Sequence, residues 1–312
     1  MILVVNLNAS LDKRYEMTDL LKGCVMRAKT VDNTPGGKGL HVANVLTILG
    51  GKCIATGMLG GRTGEFIVDK LKEYGIKHDF MLIQGETRSC LAIVTEDGQQ
   101  TEILEPGPFV SVEEQEHFIL HYEMLLEKAD LIVASGSVPQ NIPVDFYAKM
   151  IEMAQNKGKK FFLDTSGQLL KESIRAKPYF IKPNQAEIET LTGRKIANIE
   201  DLVFEIKNFM TQGIRMAVVS LGRDGAMIGY AGKIYKVTVP KVEAVNSVGS
   251  GDAFVAGMAL AVDSGYSFAD AVKNAAACGT ANAMEKESGF VHKNVVESLK
   301  KEITINEFLV DN

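Results

Sequence analysis

The segment Asn246–Phe254 carries the sharpest chemical signal in the sequence. Gly249, Ser250 and Gly251 directly precede Asp252 and an apolar run with helical spacing. Glycines let backbone N–H groups turn toward one point, and the N-terminus of a following helix favours an anion there. A carboxylate in that first turn could take the proton of a hydroxyl group that attacks a phosphoryl group. The spacing alone leaves open the plainer alternative, a carboxylate that only stabilises a helix N-terminus.

A second glycine turn lies near the start of the chain, in Thr34–Asn44. It contains Gly36, Gly37 and Gly39, which permit close approach of a ligand to the backbone, and Lys38, which could meet a phosphate. This is not a Walker A loop, since no Gly-Lys pair in the chain is followed by Ser or Thr. Judged by itself, the motif fits an ordinary strand-to-helix turn as well as a binding site.

Helices and strands must hold these two glycine turns in place, and the hydrophobic pattern predicts that they form an α/β fold. Short apolar runs rich in β-branched residues alternate with amphipathic helical stretches. Because parallel crossovers need helices, the pattern predicts a doubly wound, mainly parallel sheet flanked by helices. The predicted strands are Ile2–Leu7, Cys53–Gly57, Leu131–Ala134, Lys160–Asp164, Tyr179–Lys182 and Met216–Ser220. The predicted helices are Gly39–Leu49, Gly64–Tyr74, Val112–Lys128, Val144–Asn156, Asn184–Leu191, Ile199–Met210, Ser250–Ser264 and Ser267–Met284.

Two regions break the alternation and read as strand pairs without a helix between them. They are Lys13–Val31 and Arg88–Leu104, the second with a hairpin signal at Glu96-Asp97-Gly98. We expect one domain over residues 1–312, with a small β-sheet lid built from segments of approximately 10–33 and 84–106. Uncovered sheet edges invite partners, so we expect a homodimer through the lid strands.

Composition excludes several classes of function. A net charge of −5, with 23% charged and 46% hydrophobic residues, argues against electrostatic binding to nucleic acid or membrane and favours a small-molecule partner. The four cysteines lack zinc-site or disulfide-framework spacing. No signal-peptide pattern or apolar stretch of about 18 residues is present, so a soluble cytoplasmic protein is expected.

Taken together, the motifs resemble the PfkB, or ribokinase-like, carbohydrate kinases across essentially the whole chain. The two glycine turns match that family's two signatures. Intermediate segments agree: Asn8–Asp12, Thr87-Arg88, Ser135–Pro139, Asp164–Gly167, Lys182–Glu187 and Ser220–Ala226. The branch that this sequence most resembles contains the tagatose-6-phosphate kinases and 1-phosphofructokinases. The resemblance implies a ribokinase-like fold and the cofactors ATP and Mg²⁺. It leaves open whether a monovalent cation is a further cofactor.

The resemblance also implies roles for matched positions. Asp252 would be the general base, with Gly249, Ser250 and Gly251 receiving the phosphoryl charge. The implied sugar-phosphate ligands are Asp12, Gly36, Gly37, Lys38, His41, Arg88 and Ser137, with Arg27 on a lid strand a further candidate. Lys182, Asn184, Ser220, Gly222, Gly225 and Asn282 would lie near ATP, Asn282 beside the adenine. Asn184 and Glu187, on one helical face, would assist Mg²⁺ indirectly.

The implied reaction makes a ketohexose bisphosphate from a monophosphate and ATP. Tagatose 6-phosphate is the first-choice acceptor, followed by fructose 1-phosphate and fructose 6-phosphate. A ribokinase or nucleoside kinase and a non-catalytic sugar or nucleotide sensor are the remaining alternatives. One position departs from the pattern: relatives commonly carry Asn where this chain has His41, so that residue either reaches the sugar or turns away as an ordinary helix residue.

Overall fold

The computed structural model describes residues 1–309, which form two β-sheets and the helices that cover the larger one. The large sheet contains β1 (Ile2–Asn6), β4 (Cys53–Leu59), β5 (Met81–Leu82), β8 (Leu131–Ser135), β9 (Lys160–Asp164), β10 (Phe180–Ile181), β11 (Met216–Ser220), β12 (Ala226–Tyr230), β13 (Lys233–Thr238) and β14 (Thr304–Glu307). The small sheet contains β2 (Ser10–Met17), β3 (Thr30–Gly36), β6 (Arg88–Thr95) and β7 (Gln100–Leu104). Both sheets had been expected from the periodicity.

The large sheet is parallel over most of its width. Its order is β14-β13-β12-β11-β10-β9-β8-β1-β4-β5, and only β12 to β14 join in antiparallel fashion. The flanking helices are α1 (Lys38–Ile48), α2 (Gly61–Glu73), α3 (Val112–Leu126), α4 (Phe146–Asn156), α5 (Gly167–Ile174), α6 (Gln185–Thr192), α7 (Ile199–Thr211), α8 (Ser250–Asp263), α9 (Phe268–Ala283) and α10 (Lys293–Leu299).

Strand alternation divides the core into two apolar layers, one on each face of the large sheet. In β1, Ile2 and Val4 pack into the layer beneath α1, α8 and α9, while Leu3 and Val5 pack into the layer of α3, α4 and α7. Successive strand side chains point to opposite faces, so a strand covered on both sides must be apolar throughout. Each such buried side chain stabilises the fold by about 1.5–3 kcal/mol.

The sequence reasoning missed the antiparallel edge and two short helices. Strands β12 and β13 are joined by Ala231-Gly232, both at positive φ (50° and 79°). A two-residue hairpin of this kind normally carries Asn or Asp first, so alanine concealed the turn. Helices α5 and α10 span 8 and 7 residues, too short for a clear period.

The small sheet, which we call the lid, combines two antiparallel hairpins through a parallel pairing of β2 with β6. Its register places Ser10 between Gly36 of β3 and Arg88 of β6. This pairing brings the first glycine turn and the predicted phosphate-binding arginine to the two sides of one strand. Among residues 1–309, no helix combines the length and apolar character that crossing a membrane demands.

Candidate active site

The polar residues of the site gather where the parallel strands end. Asn6 ends β1, Asp164 ends β9, Lys182 follows β10 and Ser220 ends β11. The first three are buried although they are polar or charged. In open α/β sheets, ligands bind in the crevice outside this carboxyl edge.

The segment Asn246–Asp252, here called the anion turn, is held by buried amides. Gly249 has φ 84° and caps α8, so that Ser250, Gly251 and Asp252 form its first turn, as predicted. The Asn246 side chain accepts from Val248 N at 3.0 Å and donates to Lys286 O at 3.0 Å. A turn with this geometry presents backbone N–H groups and the positive end of the helix dipole to an anion.

The side chain of Asn282 also stabilises the anion turn. Its side chain is completely buried, donates to Val248 O at 2.9 Å and accepts from Gly289 N at 2.8 Å. The prediction that it borders the adenine is therefore wrong: its amide ties the anion turn to the 285–291 loop and has no exposed surface for a ligand.

Replacing Gly249 by alanine tests how tightly the anion turn is built. Both Gly249 and Gly265 have positive φ, but a Cβ on Gly249 would lie 2.6 Å from Gly289 N, whereas one on Gly265 would meet nothing within 4 Å. Gly265→Ala thus carries only the backbone strain, about 1–3 kcal/mol. We expect Gly249→Ala to lose about 1–3 kcal/mol more in urea unfolding and also to lose kinase activity. Equal stability of the two variants would contradict this packing.

His41 lies between two carboxylates from different elements. Its Nδ1 is 2.8 Å from Oδ2 of Asp252, and its Nε2 is 3.8 Å from Oδ2 of Asp12. Ser10 Oγ donates to the other oxygen of Asp12 at 2.6 Å. The reading in which His41 turns away from the site is therefore wrong. Burial raises the pKa of Asp12, and the nearby His41 opposes that rise.

Two lysines flank the buried carboxylate of Asp164. Lys38 Nζ is 3.9 Å from Oδ1 and Lys182 Nζ is 3.4 Å from Oδ2. Neither oxygen of Asp164 has a hydrogen-bond partner within residues 1–309. The negative charge of Asp164 raises the pKa of Lys38, which therefore stays positive at neutral pH. A Cβ on Gly251 would lie 3.0 Å from Lys182 Nζ, so this cation reaches the anion turn.

Asn8 brings Arg88 and Ser137 together. The Arg88 guanidinium donates from Nε and Nη2 to Asn8 O at 3.2 and 3.0 Å, and from Nη1 to Glu105 O at 2.8 Å. The Asn8 amide donates to Ser137 Oγ at 3.0 Å. Five N–H donors belong to a guanidinium and three are used within residues 1–309, so two remain for an anion.

Gly36 and Gly37 leave room for side chains of the site. A Cβ on Gly36 would lie 1.9 Å from Asp12 Cγ, and one on Gly37, at φ 98°, would lie 2.6 Å from Asn6 Nδ2. Asn6 in turn donates to Gly36 O at 3.4 Å. Glycine is thus required because the Asp12 and Asn6 side chains occupy the space of a Cβ.

Asn184 and Glu187 lie together at the start of α6 and form a capping box. Asn184 is the N-cap of α6, and its Oδ1 accepts from Glu187 N at 2.9 Å, while Glu187 Oε2 accepts from Asn184 N at 2.8 Å. A residue and its third successor at a helix start meet in this way, which agrees with their predicted proximity, while their role beside Mg²⁺ stays a prediction.

The turn after β11 lies beside α6. Asn184 and Ser220 form an isolated parallel β-bridge. Leu221 N donates to Gly225 O at 2.9 Å, and Gly225 has φ 90°. A Cβ on Gly225 would lie 2.0 Å from Val237 O, whereas one on Gly222 would meet nothing within 4 Å. Ser220, Gly222 and Gly225 thus belong to one exposed turn at the carboxyl edge of the large sheet.

Arg27 is not on a lid strand. It lies in the exposed segment between β2 and β3, so that prediction is wrong, because β2 ends at Met17 and β3 begins only at Thr30. Conversely, Asn6, Asn8 and Asp164 were not assigned roles. Their signal was available, since each is a polar residue at or just after a buried strand of a parallel sheet.

Comparison with known proteins agrees with this architecture. The model of the pfkB family carbohydrate kinases matches residues 3–293. The crystal structure of a candidate phosphofructokinase of Staphylococcus aureus superposes with a TM-score of 0.85 at 32% identity, covering 99% of both chains. A candidate 1-phosphofructokinase of Thermotoga maritima gives 0.89 at 26% identity, again over 99% of both chains.

Escherichia coli phosphofructokinase-2 is similar as well. Its complex with fructose-6-phosphate gives a TM-score of 0.88 at 25% identity, over 96% of this chain and 98% of that one, and its complex with potassium gives 0.90. The predicted ribokinase-like fold with its separate small sheet is confirmed. The family match, which covers nearly the whole chain, together with the 32% identity, identifies an ATP-dependent sugar kinase: the chain belongs to the pfkB family of carbohydrate kinases.

Proposed function

We propose that this kinase transfers the γ-phosphoryl group of ATP to a ketohexose monophosphate and releases a bisphosphate and ADP. One observation carries the proposal: Asp252 stands in the first turn of α8, beside the glycines of the anion turn, and also faces the pair His41 and Asp12. A group able to take a proton thus adjoins both a cradle for phosphoryl oxygens and polar groups suited to a sugar.

A second cationic region favours an acceptor that already carries a phosphate. Within residues 1–309 the fork of Arg88 has two unused donors, and Asn8, which it contacts, also holds the Ser137 hydroxyl. Arginine pairs with phosphate through two parallel hydrogen bonds, which an unphosphorylated sugar cannot match. This region argues against ribose or a nucleoside as the acceptor.

The transfer follows from the positions of the site residues. The acceptor hydroxyl would give its proton to Asp252 Oδ1 while Oδ2 stays bonded to His41. The freed oxygen would attack the γ-phosphorus, and the bond to the β-phosphate oxygen of ADP would break. Backbone N–H groups of Gly249 to Asp252 and the ammonium of Lys182 would stabilise the charge that develops on the phosphoryl oxygens.

The residues fit a metal that ATP brings with it. In the described part of the chain, the two buried oxygens of Asp164 have no hydrogen-bond partner, and Glu187 lies at the start of α6. Over residues 1–309, no cluster of three or more His, Cys, Asp or Glu side chains can hold a metal. Mg²⁺ would thus be held mainly by the nucleotide and water, with Asp164, Asn184 and Glu187 around it, and would supply positive charge to the phosphates.

An ADP-release assay with a panel of acceptors tests the function. The panel contains tagatose 6-phosphate, fructose 1-phosphate, fructose 6-phosphate, ribose and a nucleoside, with a blank without acceptor. We expect at least one ketohexose monophosphate to exceed ribose by about 10²-fold or more in kcat/KM, because ribose cannot use the Arg88 fork. A higher value for ribose, or ATP binding without ADP release, would overturn the proposal, the second result in favour of a sensor.

The lid exposes apolar side chains that a second subunit would cover. Val31 of β3 is 47% exposed, and Ile103 and Leu104 of β7 are 52% and 63% exposed, on the two edge strands of the lid. Light scattering is therefore expected to find a homodimer, and Leu104→Glu to shift it toward monomer. Leu82→Glu, at a leucine of β5 that is 77% exposed, is the control. A wild-type monomer, or equal effects of both substitutions, would refute the interface.

A further inference from the structure

The position of His41 differs from that of an ordinary buried histidine because both ring nitrogens face carboxylates. Asp252 comes from α8 and Asp12 from β2, while His41 itself is on α1. Gly289 packs against the His41 Cβ, since a methyl group added to this glycine would lie 2.6 Å from it. The His41 ring is thus confined between the carboxylates of Asp252 and Asp12, with Gly289 packed against its Cβ.

The hydrogen-bonding needs of the two carboxylates favour a protonated His41. An ionised carboxylate only accepts, whereas a neutral imidazole has one N–H and one lone pair. A neutral His41 would therefore turn a lone pair toward one of the two acids, and an imidazolium would turn an N–H toward both. The groups of other sign are Lys38 on the same helix and Arg88, which lies near Asp12.

Burial and the neighbouring charges act on the pKa of His41 in opposite directions. Burial of the ring lowers the pKa of His41, but the hydrogen bond with Asp252 and the negative charges of Asp252 and Asp12 outweigh that effect. The pKa of His41 consequently lies above its ordinary value. The charge on the ring is present at low pH and is lost as the pH rises through this raised pKa.

We propose that His41 acts as an imidazolium clamp: Nδ1–H holds Oδ2 of Asp252, and Nε2–H and Oδ2 of Asp12 together bind one hydroxyl of the sugar. The 3.8 Å between Nε2 and Oδ2 is too long for a direct hydrogen bond. A hydroxyl oxygen placed between them would accept from Nε2–H and donate to Asp12. This inference rests on the proposed sugar-phosphate kinase function.

A histidine at this position makes the clamp dependent on pH. An asparagine amide supplies N–H donors at every pH, whereas histidine supplies the Nε2 donor to this hydroxyl only while charged. Acceptor binding by this enzyme should thus weaken as His41 loses its proton, and ATP binding should not.

Steady-state kinetics of wild type and His41→Asn test the clamp. KM for the best acceptor of the panel and KM for ATP are measured between about pH 6 and about pH 9. We expect the ratio of the wild-type acceptor KM to the His41→Asn acceptor KM to rise about tenfold with pH, and the corresponding ratio for ATP to change little. Ionisation of the sugar phosphate itself affects both enzymes equally and cancels in their ratio. His117→Asn, at an exposed histidine of α3, should follow the wild type.

NMR titration of histidines labelled at Cε1 reads the charge of the ring without turnover. The chain has five histidines, so the His41 signal is assigned by its absence from His41→Asn or by elimination with the other four variants. We expect His41 to titrate at a pH above about 6.5, the ordinary value for a histidine. Titration at or below that value, or an equal rise of the acceptor KM in His41→Asn, would overturn the clamp. Absence of turnover with every acceptor would overturn the proposed function and the hydroxyl contact with it, whereas the charge of His41 would still be decided by NMR.

Discussion

Replacement of Asp252 by alanine is expected to lower kcat by about 10²–10⁴ while leaving ATP affinity near that of the wild type. Within residues 1–309, His41 is the one side chain hydrogen-bonded to the Asp252 carboxylate, through Oδ2. Its other oxygen therefore has no side-chain donor to compete with the acceptor hydroxyl. Without the carboxylate, that hydroxyl would have to lose its proton to water or to a poorly placed group.

Asp252→Asn separates the chemistry from the packing. An asparagine keeps the shape and can still accept from His41, but its amide takes no proton at neutral pH. We expect a loss of kcat similar to that of the alanine variant, measured by ADP release at saturating substrates, with ATP binding followed by calorimetry. Glu243→Gln, at an exposed carboxylate just before the anion turn, is the matched control and should behave as wild type. Near-normal turnover in Asp252→Asn would remove the general-base assignment.

Replacement of Arg88 by alanine is expected to raise KM for a sugar phosphate about 10- to 100-fold and to change KM for ATP far less. A charge-assisted hydrogen bond contributes about 1.5–3 kcal/mol, which corresponds to this range. Arg88 lies on the lid border, and its guanidinium is already held by Asn8 O and Glu105 O. Its unused donors are thus preorganised, so that the acceptor phosphate does not have to order the side chain.

Arg88→Lys and Arg62→Ala make this test specific. Lysine keeps the charge but loses the planar fork and cannot hold both carbonyls in the same way, so a substantial rise of KM should persist. Arg62 forms an exposed ion pair with Glu65 and controls for the loss of one positive charge from the surface. Thermal unfolding of each variant shows whether the lid contacts remain. Equal increases of KM for the sugar phosphate and for ATP would contradict the placement of Arg88.

The parts of the site that depend on local chemistry were predictable. A glycine before an apolar helical run leads to a left-handed residue and a helix start, and that local rule placed Asp252 in the first turn of α8. The alternation of apolar runs predicted the parallel sheet because strands covered on both faces must be apolar. Residues that follow such strands lie at the edge where ligands bind, so the general location of the site follows as well.

Errors arose where a side chain chooses among partners that are distant in sequence. Asn282 was expected beside the adenine, but it is completely buried beneath the anion turn. Arg27 was expected on a lid strand, although the strands end before it and resume after it. In the first case helix packing decided which polar groups the amide meets, and in the second case tertiary pairing decided the strand ends.

The sequence by itself determined the α/β architecture, the two glycine turns and the first-turn position of Asp252, because these depend on periodicity and on backbone preferences over a few neighbouring residues. Only the tertiary structure decided that His41, 211 positions before Asp252, lies between that residue and Asp12, and that Asp164 receives two lysines. The contact of His41 with Asp252 arises from the packing of α1 against α8, and that of Lys182 with Asp164 from the pairing of β10 with β9. Spacing along the chain carries no information about them, since burial and charge pairing act between whichever side chains the fold brings together.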